Sequence, residues 1–120
     1  MLGVFNTAAG KYNYKPNDFY LTLRGGIQLD HTFMAEKRVK LIYGLPDECI
    51  VNISIYDDLN GEKINIFSSQ KKPGMHTLDY NMEPLSEGWY KMAFEVFTTG
   101  SEHRLVYSKT IDFGLLKAFS

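Results

Sequence analysis

The fold is decided by residues 51–66, which read VNISIYDDLNGEKINI. In the first five residues apolar and small polar side chains alternate, and this period of two predicts a strand with one dry face. The pair Asn60-Gly61 favours positive φ and predicts a tight turn. A return strand is predicted over residues 62–69, so the whole stretch indicates an antiparallel hairpin.

Strand-like segments continue on both sides of this hairpin. The longest alternation covers residues 89–97, where four bulky side chains share one face of the strand. Gly25-Gly26 is interpreted as a turn that ends the first strand. The further predicted strands are residues 19–23, 31–43, 75–80 and 104–113. About seven strands at roughly ten-residue spacing predict an all-β fold, an Ig-like or fibronectin III-like antiparallel β-sandwich.

The length of 120 residues suits one domain. Residues 1–17 mix Gly, Asn and Pro with tyrosines and keep no period, so we interpret them as an N-terminal arm. Residues 18–120 are interpreted as the Ig-like β-sandwich domain. Alone, the N-terminal arm buries too little apolar area to offset its backbone entropy, so it is expected to be mobile in an isolated domain, with its aromatics as anchors if it packs on a neighbour.

The charge balance excludes several classes of partner. The chain carries 13 Lys plus Arg against 14 Asp plus Glu, and the formal charge is −1, so nucleic acid is not an expected partner. No run approaches the roughly 18 apolar residues of a membrane span, so membrane insertion is not expected. The first residues lack the basic and apolar regions of a secretory signal. Localisation stays open, with an extracellular site or a surface or virion assembly as the expectation.

Residues with metal or catalytic chemistry are few and scattered. His31, His76 and His103 lie on separate segments with no Cys or acid at ligand spacing. The acidic residues within 57–62 lack the spacing of an EF-hand and are interpreted as a solvated hairpin tip. Cys49 is interpreted as a buried small hydrophobe. We therefore expect no cofactor, no metal and no enzymatic activity.

Four motifs between residues 43 and 90 follow one another with the order and spacing of a known pattern. They are Tyr43-x-Leu45-Pro46, then Val51-x-Ile53-x-Ile55-Tyr56-Asp57 with Gly61, then Pro73-Gly74-x-His76-x-Leu78-x-Tyr80, and Leu85-x-x-Gly88-x-Tyr90. This pattern resembles the immunoglobulin-like domain shared by flagellar hook-capping proteins and by C-terminal sorting domains of the type IX secretion system. The resemblance implies an Ig-like sandwich used for docking, in which His76 holds a turn by a hydrogen bond rather than acting in catalysis.

The sequence contains more aromatic residues than a single small core needs, with eight Tyr, eight Phe and one Trp. Exposed aromatics favour protein interfaces or sugar stacking. Trp89 is out of phase with the inward-facing residues of its strand. Phe5, Tyr12 and Tyr14 are the aromatic residues of the N-terminal arm. We predict these four as partner-binding residues.

The sequence as a whole predicts a non-catalytic structural or assembly module. It is expected to dock onto a protein partner, or onto itself, through edge strands and the arm, within a surface, secretion, phage-like or injection apparatus. One alternative is a carbohydrate-binding module in which Trp89 and nearby tyrosines form a stacking platform. The other is a type IX secretion sorting domain.

Overall fold

The structure is a computed structural model that describes residues 14–116. Strands account for 70% of these residues, so the protein is all-β, as the alternation in the sequence predicts. A short 3-10 turn, Pro16–Asp18, precedes the first strand. The seven strands of the described part are β1 (Tyr20–Leu29), β2 (Thr32–Leu45), β3 (Cys49–Asp57), β4 (Lys63–Lys71), β5 (Gly74–Asn81), β6 (Gly88–Thr98) and β7 (Leu105–Leu115).

All seven strands belong to one curled, mixed sheet. Its order is β1-β2-β7-β6-β3-β4, and β5 also pairs with β2. Residues 33–35 of β2 run parallel to residues 113–115 of β7, whereas residues 38–45 of β2 pair with β5. β2 therefore changes neighbours near residues 36 and 37. We call β1-β2-β5 the three-stranded arm of the sheet and β7-β6-β3-β4 the four-stranded arm.

The pairing of β2 with β7 shows that the expectation of a wholly antiparallel arrangement was wrong at one place. Phe33, Met34 and Ala35 pair in parallel with residues 113–115. Side chains alternate with a period of two in parallel and antiparallel strands alike. The sequence pattern therefore places a strand without reporting the direction of its neighbour.

The core lies between the inward faces of the two arms. Tyr90, Met92, Phe94 and Val96, which the sequence places on one face of a strand, are all buried. Full burial of one such apolar side chain contributes roughly 1.5–3 kcal/mol. The largest fully buried side chains are Tyr43, Phe94, Phe113, Leu41, Ile53, Ile55, Met82, Met92, Val51 and Val96.

Ring contacts across this core show how the sheet curls. The ring of Tyr43 on β2 lies 5.4 Å from that of Phe94 on β6, although β2 and β6 are not hydrogen-bonded neighbours. Phe19, just before β1, stacks on Tyr107 of β7 with ring centroids 4.5 Å apart. The curled sheet, shaped like half a barrel, thus brings its two arms face to face.

Two turns lie where the turn residues of the sequence predict them. The turn between β3 and β4 contains Gly61 at φ 73°, a conformation that favours glycine. In the turn between β4 and β5, His76 Nε2 donates a hydrogen bond to the Lys72 carbonyl oxygen at 2.6 Å. The His76 ring also stacks on Tyr43 at 5.3 Å. His76 therefore holds a turn, as the resemblance implies.

The glycine pair lies inside β1, so its interpretation as a terminating turn was wrong. The strand continues to Leu29, with a register shift between Arg24 and Gly26. Gly25 takes φ 99° there, which a side chain would oppose. The strand continues because residues 26–29 pair with residues 32–35 of β2 in a tight hairpin, so the glycine pair does not end it.

Candidate interaction surface

An apolar row crosses the outer face of the sheet where β6, β7 and β2 lie side by side. Gly114 of β7 pairs with Trp89 of β6 on one side and with Met34 of β2 on the other. A Cβ atom on Gly114 would lie 2.7 Å from Trp89 Cζ3 and 2.8 Å from Met34 Cε, so both side chains cover the glycine. Ile27 of β1 pairs with Met34 and extends the row. Trp89 is 56% exposed and Ile27 58% exposed.

An open groove of about 860 Å³ begins beside this row. It lies where β2 leaves β7 and joins β5, so the ends of β5 and β7 are separated there. Its apolar lining consists of Ile27, Leu29, Met34, Ala35, Met82, Leu115 and Leu116. We call this feature the switch groove, because it marks the point at which β2 changes neighbours.

Four charged residues line the switch groove, two of each sign. They are Glu36, Lys37 and Arg38 of β2 and Glu83, which follows β5. Lys37 Nζ lies 3.9 Å from Glu83 Oε2, and both side chains are more than half exposed. A surface pair of this kind contributes at most about 1 kcal/mol to the stability of the fold.

A second outer row crosses the three-stranded arm. Gly44 of β2 pairs with Tyr20 of β1 and with Met75 of β5. A Cβ atom on Gly44 would lie 2.7 Å from Met75 Sδ and 3.3 Å from Tyr20 Cβ. This row ends at both sides, because β1 and β5 are the edges of the arm in the described part of the chain.

The opposite end of the domain holds the start of the described chain. Tyr14 is half-buried, and its hydroxyl donates to Asp47 Oδ2 at 3.1 Å. Its ring meets Phe19 edge-on at 5.6 Å. Nearby Cys49 is buried, as the sequence predicts, and burial raises the pKa of its thiol to about 11, with Asp47 and Glu48 adding to the rise. The thiol is therefore protonated at neutral pH and is a poor nucleophile.

The acidic hairpin tip uses its oxygens within the fold. Asp57 Oδ1 accepts a hydrogen bond from the Leu59 backbone N–H at 2.8 Å, and Asn60 Oδ1 accepts one from the Glu62 N–H. Asp58 lies 3.5 Å from Lys91. The hairpin-tip interpretation is thus confirmed. Among residues 14–116 no group of three or more His, Cys, Asp or Glu side chains could hold a metal ion.

The lysine at this tip links two strands. Lys91 Nζ on β6 contacts Asp112 of β7 at 3.2 Å as well as Asp58. The hydrogen bond to Asp112 and its charge, followed by the charge of Asp58, raise the pKa of Lys91. The cluster is an exposed set of two ion pairs that share Lys91. Within residues 14–116 no helix is long and apolar enough to cross a membrane.

The four residues predicted to bind partners fall in different places. Trp89 points outward from its strand, as its phase predicts. Tyr14 is held against the domain by Asp47 and Phe19. Phe5 and Tyr12 lie outside the described residues. The binding role of all four stays a prediction, and the structure does not bring the two described residues, Trp89 and Tyr14, together.

Sequence reasoning missed the residues of the switch groove. Ending the first strand at the glycine pair left Ile27 and Leu29 without a strand and so without a face. A signal was present, because Ile27, Gln28 and Leu29 continue the alternation beyond the glycines. The groove itself depends on the change of neighbours in β2, for which the local sequence has no signal.

The sequence matches no protein-family model, and no curated protein is significantly similar to it. Among solved structures, the chain is similar to the PmoD soluble domain from Methylocystis sp. ATCC 49242 (Rockwell). The identity is 10%, the match covers 82% of this chain and 90% of that chain, and the TM-score is 0.48. A likeness at this level carries no argument about function. The comparisons give no support to the hook-capping and type IX sorting families.

Proposed function

We propose that this protein is a non-catalytic structural or assembly module that docks onto protein partners or onto itself. The observation that carries the proposal is the apolar row of Trp89, Met34 and Ile27, which leads into the switch groove. Two of these side chains are more than half exposed on paired strands. Contiguous exposed apolar surface on a rigid sheet is typical of protein interfaces.

Free strand edges support the same proposal. In the described part of the chain, β4 pairs with β3 alone, and residues 105–112 of β7 pair with β6 alone. Unpaired backbone groups at an edge can accept an extended strand from a partner. β4 carries a bulge opposite Ile53 and a lysine at each end, which discourage unspecific pairing. The β7 edge also carries a bulge, between Leu105 and Tyr107, and a lysine, Lys109, so neither edge is favoured over the other for strand addition.

We propose further that the curled sheet is a variant of the Ig-like or fibronectin III-like sandwich. The three-stranded arm of the sheet contains the first, second and fifth strands, and the four-stranded arm contains the seventh, sixth, third and fourth. This division into two groups is similar to that of such sandwiches. Tyr90, near the start of β6, donates its hydroxyl to the Ser86 carbonyl at 2.5 Å. A tyrosine that bonds a few residues upstream at this corner recurs in Ig-like domains.

The chemistry of the described residues supports a non-catalytic role. The Cys49 thiol is buried with a raised pKa, and His76 is used in a turn. The ionised side chains at the hairpin tip are paired with lysine or capped by backbone N–H groups. None of these arrangements places a nucleophile beside a base in a cleft.

The docking proposal is tested by light scattering after size exclusion, with the full chain and residues 18–120 run alone and with the products of neighbouring genes. We expect the full chain to form a complex. Alanine at Phe5 or Tyr12 should weaken it by more than about fivefold, since interface aromatics carry much of the binding energy. Leu59→Ala is the control, because Leu59 is 94% exposed at the hairpin tip. Monomers of both lengths that bind none of these products would contradict the proposal.

Carbohydrate binding is a second candidate, because the exposed indole of Trp89 could stack on a sugar. Binding on a glycan array that is lost in Trp89→Ala would favour it. Glycan binding that is absent, or unchanged in Trp89→Ala, would exclude this role for Trp89.

A further inference from the structure

The switch groove is a surface rather than an enclosed pocket. Its volume of about 860 Å³ is in the range of small-molecule sites, but such sites bury most of the ligand surface. Here Ile27, Leu29 and Leu116 are 58%, 51% and 41% exposed. Side chains this exposed form an open apolar face, which a macromolecule covers better than a small ligand does.

The charges that line the switch groove limit the kind of macromolecule that could bind there. Lys37 and Arg38 are balanced by Glu36 and Glu83, so the surface favours neither an anionic nor a cationic partner. A surface that carries both signs around an apolar centre can complement itself. In a twofold contact the same patch occurs on both sides, and each cation can then meet an acid of the other copy.

We propose that the switch groove is a twofold interface at which two copies of this chain bury Ile27, Leu29 and Leu116 against each other. This inference rests on the proposed docking function and names its partner as a second copy. The formal charge of −1 opposes such pairing only weakly. The β1-β2 hairpin presents Ile27 and Leu29 on a paired strand, so little conformational entropy is lost on contact.

Sedimentation equilibrium of the full chain from about 1 µM to about 1 mM tests the interface. We expect a monomer–dimer equilibrium. Because a twofold contact contains each residue twice, Ile27→Asp should raise the dimer dissociation constant at least about tenfold. Met75→Asp is the matched control, because Met75 is 61% exposed on the outer face of the three-stranded arm and does not line the groove. Equal weakening by both variants would overturn the proposal.

Methyl spectra of ¹³C-methionine-labelled wild-type protein test the same interface without relying on the folding of a variant. Met34 lines the groove, whereas Met75 is 61% exposed on the outer face of the three-stranded arm. The Met34 signal should move with protein concentration while the Met75 signal stays fixed. The reverse pattern would place self-association elsewhere and overturn the inference, while leaving the docking function supported.

A chain that stays monomeric at every concentration would overturn the inference alone. The docking function then depends on the separate mixing experiment with neighbouring gene products. Failure of both experiments would overturn the inference and the proposed function together.

Discussion

The two outer rows of this protein have the same composition pattern and different surroundings. In each row a glycine in a middle strand lies between an aromatic residue and a methionine on the flanking strands. On the four-stranded side the glycine is Gly114 between Trp89 and Met34, and on the three-stranded arm it is Gly44 between Tyr20 and Met75. The first row continues through β1 into the switch groove, whereas the second ends at two strand edges.

The difference between the rows lies in what covers the glycine. At Gly114 the nearest atom belongs to the rigid indole of Trp89, with the Met34 side chain close on the other side. At Gly44 the nearest atom is the sulfur of Met75, on a flexible and exposed side chain. The same combination of glycine, aromatic residue and methionine therefore gives tight packing around Gly114 and adaptable packing around Gly44.

Substitution of a third glycine, Gly26, should have the largest effect on stability. A Cβ atom on Gly26 would lie 2.2 Å from the Met34 carbonyl oxygen and 2.7 Å from the Phe33 ring. The carbonyl belongs to the paired strand and cannot move aside without breaking the ladder. Gly26→Ala should therefore lower the free energy of unfolding by at least about 2 kcal/mol, measured by urea denaturation. A loss as small as that of Gly44→Ala would show that β1 and β2 can move apart at this position.

Gly114→Ala should have an intermediate effect. The new methyl group must push the indole of Trp89 away from the sheet, which we expect to cost about 1–2 kcal/mol of unfolding free energy. Trp89 is the only tryptophan, so its fluorescence reports the displacement directly. We expect the emission maximum of Trp89 to move to longer wavelength, because the displaced ring is more exposed to water. Unchanged emission together with unchanged stability would mean that the row is not tightly filled.

Gly44→Ala should have the smallest effect, within about 0.5 kcal/mol of the wild-type unfolding free energy. The Met75 side chain can rotate away, and alanine restricts the unfolded chain more than glycine does. The Gly44→Ala, Met75→Ala double variant is the control, because it removes the displaced side chain. A loss as large as that of Gly114→Ala would remove the distinction between the two rows.

The candidate surface could be predicted from the sequence only in part. The phase of Trp89 relative to Tyr90 and Met92 predicts an outward indole, because side chains of a strand alternate between faces. Alternation also gives Ile27 a strand face, but nothing in the sequence indicates that Ile27 and Met34 lie beside Trp89. They become part of one surface with Trp89 only when β2 pairs with β1 in a local hairpin and with β7, which is distant in the chain.

For the fold, the sequence by itself determined which segments are strands, which of their faces are dry and where most turns lie. Side-chain alternation and turn residues act within a few neighbours, so these features are local. Only the tertiary structure decided that β1 continues through Gly25-Gly26, that residues 33–35 of β2 lie parallel to β7, and that the switch groove opens where β2 leaves β7. These features depend on which strands meet, and that is set by burial of the shared core rather than by any short stretch of the chain.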